Sequence, residues 1–140
     1  MSYGLALEPA MESVGSGRRL VADALAAWDL DALTYTAALL TSEVLTNSVL
    51  HARTPMVLSI ERSGPNAVTI SVRDRSKVGP RRRRHAQDAT TGRGLELLDR
   101  LAQSWQVQSH ADGKTVSFVV GGDIDPWAAF GGVDWSNAEL

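Results

Sequence analysis

The chain has 140 residues, 44% hydrophobic and 21% charged, with a formal net charge of −2 and no cysteine. Such a balance describes one globular domain able to bury a core without staples, and it excludes disulfide scaffolds and cysteine-based metal sites. Residues 121–140 carry Asp123, Asp125, Asp134 and Glu139 but no Lys or Arg, leaving +2 on the first 120 residues, and the densest positive charge is the short run Arg81–Arg84, which argues against nucleic-acid binding.

No apolar run approaches the roughly 20 residues that cross a bilayer. The start, Met-Ser-Tyr-Gly-Leu-Ala-Leu-Glu, lacks a basic segment followed by an apolar one. The expectation is therefore no secretory signal, no membrane contact and a cytoplasmic location.

In chain order, Leu5, Ala6 and Leu7 suggest a short edge strand ended by Pro9. Arg18 to Trp28 reads as a helix, with Leu20, Val21, Ala24, Leu25 and Trp28 on one side. Asp29-Leu30-Asp31 breaks it, and Asp31 is the expected N-cap of a second helix that runs to about Ala52, before Thr54-Pro55. In that helix Leu40, Val44 and Val49 recur at helical spacing, while Glu43, Asn47 and His51 stand four apart and should share one face. Thr46, Asn47 and Ser48 are poor helix formers, at roughly 0.5 kcal/mol each against Ala. An amide oxygen is a hard ligand and a carboxylate one turn away is a proton acceptor, so Glu43 and Asn47 could serve a metal–phosphate group. Taken alone, the pair reads more simply as the solvated face of an amphipathic helix.

Met56, Leu58 and Ile60 alternate with Val57, Ser59 and Glu61, and Val68, Ile70 and Val72 alternate with Thr69, Ser71 and Arg73. With the turn Ser63-Gly64-Pro65-Asn66 between them, they predict a hairpin that ends at Asp74. Arg75 to Thr91 has no period, and loops longer than about 12–15 residues are usually functional or disordered. Arg81–Arg84 in that loop is either a solvated run, a phosphate-facing lid or a docking patch for an acidic partner. Gly92-Arg93-Gly94 opens a third helix carrying Leu95, Leu98, Leu101 and Ala102. The run is not the dinucleotide fingerprint, since Leu97 stands where a third glycine would, and no Gly-Lys-Ser/Thr makes it a P-loop. Two glycines still let backbone approach a ligand, and a helix opening offers N–H groups to an anion. Trp105 and Val107, the turn Asp112-Gly113, and Val116, Phe118 and Val120 predict a closing hairpin. In that hairpin Thr115 is expected on the helical side of the sheet. His51, His85 and His110 show no metal-ligand spacing. The order of elements points to α+β: a two-layer sandwich with a mixed, mostly antiparallel sheet and helices on one face.

Singly, each of these signals has an ordinary reading: Asp74 as a turn cap, the glycines as a loop exit, Thr115 as a strand residue. Their order is more specific. The segments 39–52 (Leu-Leu-Thr-Ser-Glu-Val-Leu-Thr-Asn-Ser-Val-Leu-His-Ala), 72–76 (Val-Arg-Asp-Arg-Ser), 92–102 and 113–118 (Gly-Lys-Thr-Val-Ser-Phe) together resemble the Bergerat ATP-binding fold of gyrase-type topoisomerases, sensor histidine kinases and some chaperones. More narrowly they resemble the RsbW/SpoIIAB-like anti-sigma serine kinases, in the small stand-alone form abundant in actinobacteria.

The resemblance implies roles by position. Glu43 matches the base that activates an attacking hydroxyl or water, and Asn47 the residue that holds Mg²⁺. Asp74 matches the carboxylate that reads the adenine amine. Gly92 and Gly94 match the phosphate-side glycines, with Ser76, Arg93 and Leu95 counted among the nucleotide contacts, and Thr115 matches a hydroxyl near adenine. Such chemistry is mostly positioning and charge neutralisation. The chain departs from the family where Asp74-Arg75-Ser76 replaces Asp-x-Gly-x-Gly, with the next glycine at Gly79. No phosphoacceptor-histidine helix precedes the domain, which points away from a sensor kinase.

The resemblance further implies ATP and Mg²⁺ as cofactors and serine/threonine kinase activity on an anti-anti-sigma (STAS) antagonist. A sigma factor is a further partner and a homodimer the expected assembly. The ATP-binding domain would span residues 1–120, with residues 121–140 an acidic tail containing Trp127, Phe130 and Trp135. The alternatives are a non-catalytic nucleotide-binding module acting by protein contact, and a purely structural interaction domain.

Overall fold

A computed structural model describes residues 1–76 and 96–122. Strand β1 (Ser2–Leu7) leads into helix α1 (Glu12–Ala27). A 3₁₀ turn, Asp31–Leu33, precedes α2 (Thr34–Asn47), and a π turn, Ser48–Ala52, follows it. Strands β2 (Met56–Gly64) and β3 (Ala67–Asp74) form the first hairpin. Residues 96–101 are helical (α3), and β4 (Ser104–His110) and β5 (Gly113–Gly121) form the second hairpin. The sheet order is β1-β2-β3-β5-β4. Every neighbouring pair is antiparallel, so the sheet is more uniform than the mixed one expected.

The α+β two-layer architecture follows from strand alternation. Leu58 and Ile60 of β2, Val68, Ile70 and Val72 of β3, and Phe118 and Val120 of β5 are buried. They meet Val21 and Leu25 of α1 and Leu40, Val44 and Leu45 of α2 in one core. The opposite face carries short polar pairs such as Ser71 and Ser117, whose hydroxyls lie 3.0 Å apart. A sheet with one apolar and one polar face covers only the first.

Helix α1 ends where the sequence breaks. Asp29 takes φ +58°. The Leu30 amide bonds to the Leu25 carbonyl (2.8 Å), and the Asp29 amide to that of Ala26 (3.2 Å). That is a Schellman stop, with Leu30 and Leu25 both buried beneath it. The N-terminal side differs from expectation: α1 starts six residues before Arg18, because Ser13, Val14 and Gly17 also pack inward. Asp31 does not cap α2. The helix starts at Thr34 after the 3₁₀ turn, without a side-chain cap.

Gly17 lets α1 approach α2. A Cβ there would overlap Leu45 Cδ1 and lie 3.2 Å from Leu58 Cδ2. On helix propensity alone, Gly17→Ala would gain roughly 0.8–1 kcal/mol. Overpacking against a closed core typically costs ~1–3 kcal/mol, so the expected net result is a lower urea midpoint at unchanged m-value. A raised midpoint would show that Leu45 repacks freely.

Candidate functional site

The end of α2, the end of β3 and the start of β5 converge on one carboxylate. Asp74 closes β3 on the helix-facing side, and its side chain is 1% exposed. Its Oδ2 accepts from the Ser48 hydroxyl at 3.1 Å and from Lys114 Nζ at 2.6 Å, and its Oδ1 accepts from the Ser76 amide at 2.9 Å. Burying a charge is costly unless it is paired and hydrogen-bonded, and these three donors from three segments meet that cost.

Local structure explains the Ser48 donor. Ser48 is one residue past Asn47, which turns it from the polar row toward the sheet. The π turn begins there, closed by the Arg53 amide on the Ser48 carbonyl (3.0 Å), with Arg53 left-handed at φ +56°. π turns inside helices often mark functional sites. The wider turn also ends the four-residue row: Glu43 and Asn47 remain half-buried, whereas His51 is exposed. The expected Glu43–Asn47–His51 face is therefore corrected to Glu43 and Asn47.

Asn47 Oδ1 is buried without a hydrogen-bond partner. Trp28 Nε1 and Thr41 Oγ1 share that condition among the described residues, but an indole N–H cannot ligate a cation and a hydroxyl can rotate toward a helix carbonyl. The amide oxygen is a hard, desolvated acceptor, one helical turn from the Glu43 carboxylate, and so it fits a Mg²⁺ ion. Among the described residues no three His, Asp or Glu side chains form a metal cage. Mg²⁺ needs none, because it usually takes one or two protein oxygens and completes its shell with phosphate and water.

Thr115 is not brought to this cluster. Cross-strand register pairs Arg73 with Thr115 and Asp74 with Lys114, and directly opposed residues share a face. Thr115 therefore points to the open face, where its hydroxyl lies 2.8 Å from His110 Nε2. Nearby, the Arg73 guanidinium hydrogen-bonds Asp112 at 3.1 Å and holds that exposed carboxyl below its ordinary range. The expectation for Thr115 is corrected by a one-residue parity: Lys114 is the β5 side chain that meets Asp74. Sequence reasoning missed it, and missed Ser48. The signal was present for Lys114, because buried Phe118 and Val120, with Val116 packed against the same core, put even positions on the helical side.

Ser76 is buried and its amide joins the cluster. Gly92, Arg93, Gly94, Leu95 and the run Arg81–Arg84 lie outside the described residues, as do Trp127, Phe130 and Trp135.

An antiparallel sheet with helices on one face, and a polar site where the second helix meets a strand-end acid, defines an α+β two-layer domain with its polar cluster at one end of the sheet. The family model for the histidine kinase-like ATPase domain matches residues 7–120, and the chain belongs to that family. No curated protein matches it. Membership carries ATP binding, and kinase or ATPase chemistry in the broad sense, as the function of the class. No helix among the described residues is long and apolar enough to cross a membrane.

Proposed function

We propose that this protein is an anti-sigma regulator of the RsbW/SpoIIAB type, which binds ATP with Mg²⁺ and transfers phosphate to a Ser or Thr of an anti-anti-sigma (STAS) antagonist. The observation that carries the reading is the buried, unpartnered Asn47 Oδ1, one turn from Glu43 on the helix whose next residue holds Asp74. The magnesium nucleotide, when bound, supplies the phosphoryl group and a cation that spreads its charge. Asn47 offers that cation an amide oxygen. Glu43, which accepts no hydrogen bond from the described residues, takes the proton of the attacking hydroxyl. Asp74 accepts from the base amine and fixes the purine end. Phosphorylation of the antagonist would then decide whether the regulator holds a sigma factor or releases it, with a homodimer as the working unit.

Two measurements test this. Asn47→Ala is expected to abolish Mg²⁺-dependent nucleotide binding in calorimetry, while circular dichroism stays that of the wild type. Unchanged affinity would remove Asn47 from the site. Incubation with labelled ATP and purified STAS proteins is expected to label one of them on Ser or Thr. Tight ATP binding with no transfer would instead make the protein a nucleotide-binding module that acts by contact alone, and absence of binding would sink the reading.

A further inference from the structure

Lys114 is given no part by the proposal above, yet it is bonded to the residue on which base recognition depends. It leaves β5 directly opposite Asp74, and its origin is pinned there. A Cβ on Gly113 would overlap the Asp74 carbonyl oxygen and lie 2.9 Å from Arg75 Cα. The two strands press together at a spot that only glycine allows. From that anchor Lys114 Nζ reaches 2.6 Å from Asp74 Oδ2, and of the two side chains Lys114 is the more exposed, 13% against 1%.

Counting donors and acceptors shows what remains for a ligand. A carboxylate has about four acceptor positions. Ser48 and Lys114 use those on Oδ2 and the Ser76 amide uses one on Oδ1, which leaves one on Oδ1. An ammonium has three N–H donors, and Lys114 commits one, to Asp74. Among the described residues the site therefore holds an unused acceptor on Asp74 and unused donors on the Lys114 bonded to it. The complement of that pair is a donor and an acceptor joined through one carbon. A 6-aminopurine carries this arrangement in its exocyclic amine and ring N1.

We propose that Lys114 is a base-reading residue, whose ammonium donates to ring N1 of the purine while Asp74 accepts from the adjacent amine. The proposal rests on the nucleotide reading above and adds a second selectivity element to it. Asp74 by itself asks only for a donor. The cation beside it asks that the neighbouring ring atom be an acceptor, and a C–H at that place leaves a largely buried ammonium against carbon.

The test is calorimetric titration of the full chain, with Mg²⁺ present, using ATP and 1-deaza-ATP, in which ring N1 is replaced by C–H. The wild type is expected to bind 1-deaza-ATP at least about tenfold more weakly, as for loss of a hydrogen bond to a charged group. Lys114→Met is expected to bind the two nucleotides equally. A lysine that only holds Asp74 in place would not distinguish them in the wild type, so equal wild-type affinities overturn the proposal and leave the nucleotide reading standing. Failure of the wild type to bind ATP at all overturns both. Should Lys114→Met not fold, the two wild-type titrations decide alone.

Discussion

Glu43→Ala is expected to bind ATP with wild-type affinity and to transfer phosphate about 10²–10⁴-fold more slowly, the range usual for a positioned general base. The separation of the two effects is the informative part. Nucleotide affinity is assigned to Asn47, Asp74 and Lys114, whereas a base acts only as the hydroxyl proton leaves. Removing a group that works only in the transition state lowers the rate and leaves ground-state binding intact. The structure prepares Glu43 for such a role, because the residue is half-buried and no described donor engages its carboxylate. Glu43→Gln keeps the shape but cannot take a proton, and it should match Glu43→Ala in rate. Calorimetry together with labelled-phosphate transfer checks both. Transfer at the wild-type rate in either variant would show that another base acts.

Most of the fold was legible because its elements repeat over several turns or residue pairs. Val21, Leu25, Leu40 and Val44 announce buried helix faces, and Leu58, Ile60, Ile70 and Val72 alternate cleanly; all are buried. The two hairpins follow from Gly64-Pro65-Asn66 and Asp112-Gly113 between alternating runs. What escaped was set by packing rather than by period. Helix α1 begins at Glu12 rather than Arg18, across a stretch that holds Gly15, Ser16 and Gly17. Gly17 belongs there because the helix approaches Leu45 and Leu58 too closely for a side chain at that position. Asp31 has the chemistry of a cap, yet a 3₁₀ turn with no cap bond occupies that place.

The site was legible where one residue type has one geometric meaning. Asp74 at a strand end, and Glu43 and Asn47 one turn apart, could be placed from spacing. Thr115 could not, because in the pair Lys114-Thr115 both members have a chemical claim and only strand parity chooses between them. Attention to residue type favoured the hydroxyl; the register of β3 with β5 gives the place to the ammonium. Ser48 was hidden for a related reason. A serine mid-helix is ordinarily a solvent-facing or back-bonding residue, and only the docking of β3 against the end of α2 turns it into a donor to a carboxylate 26 residues on.

Lys114→Met is expected to lower folding stability by about 3–5 kcal/mol, the usual cost of removing one partner from a buried ion pair. The cost comes from the imbalance left behind. The Asp74 side chain is 1% exposed, and without the ammonium it keeps, among the described residues, only a neutral hydroxyl and one backbone amide. The double variant Asp74→Asn/Lys114→Met removes both charges at once and should recover most of the loss, because well-packed neutral replacements of a buried pair are often close to neutral in stability. Thr115→Val on the opposite face breaks one partly exposed hydrogen bond to His110, for which a cost of about 0.5–1.5 kcal/mol is expected. Urea denaturation of the four proteins orders them directly: wild type, then Thr115→Val and the double variant near each other, then Lys114→Met well below. Against the ~5–15 kcal/mol that typically holds a domain together, the last change is large enough to read without ambiguity. If Lys114→Met proved no more costly than Thr115→Val, the Asp74–Lys114 pair would have to be solvated in solution. The compact acceptor–donor arrangement on which base reading depends would then be lost.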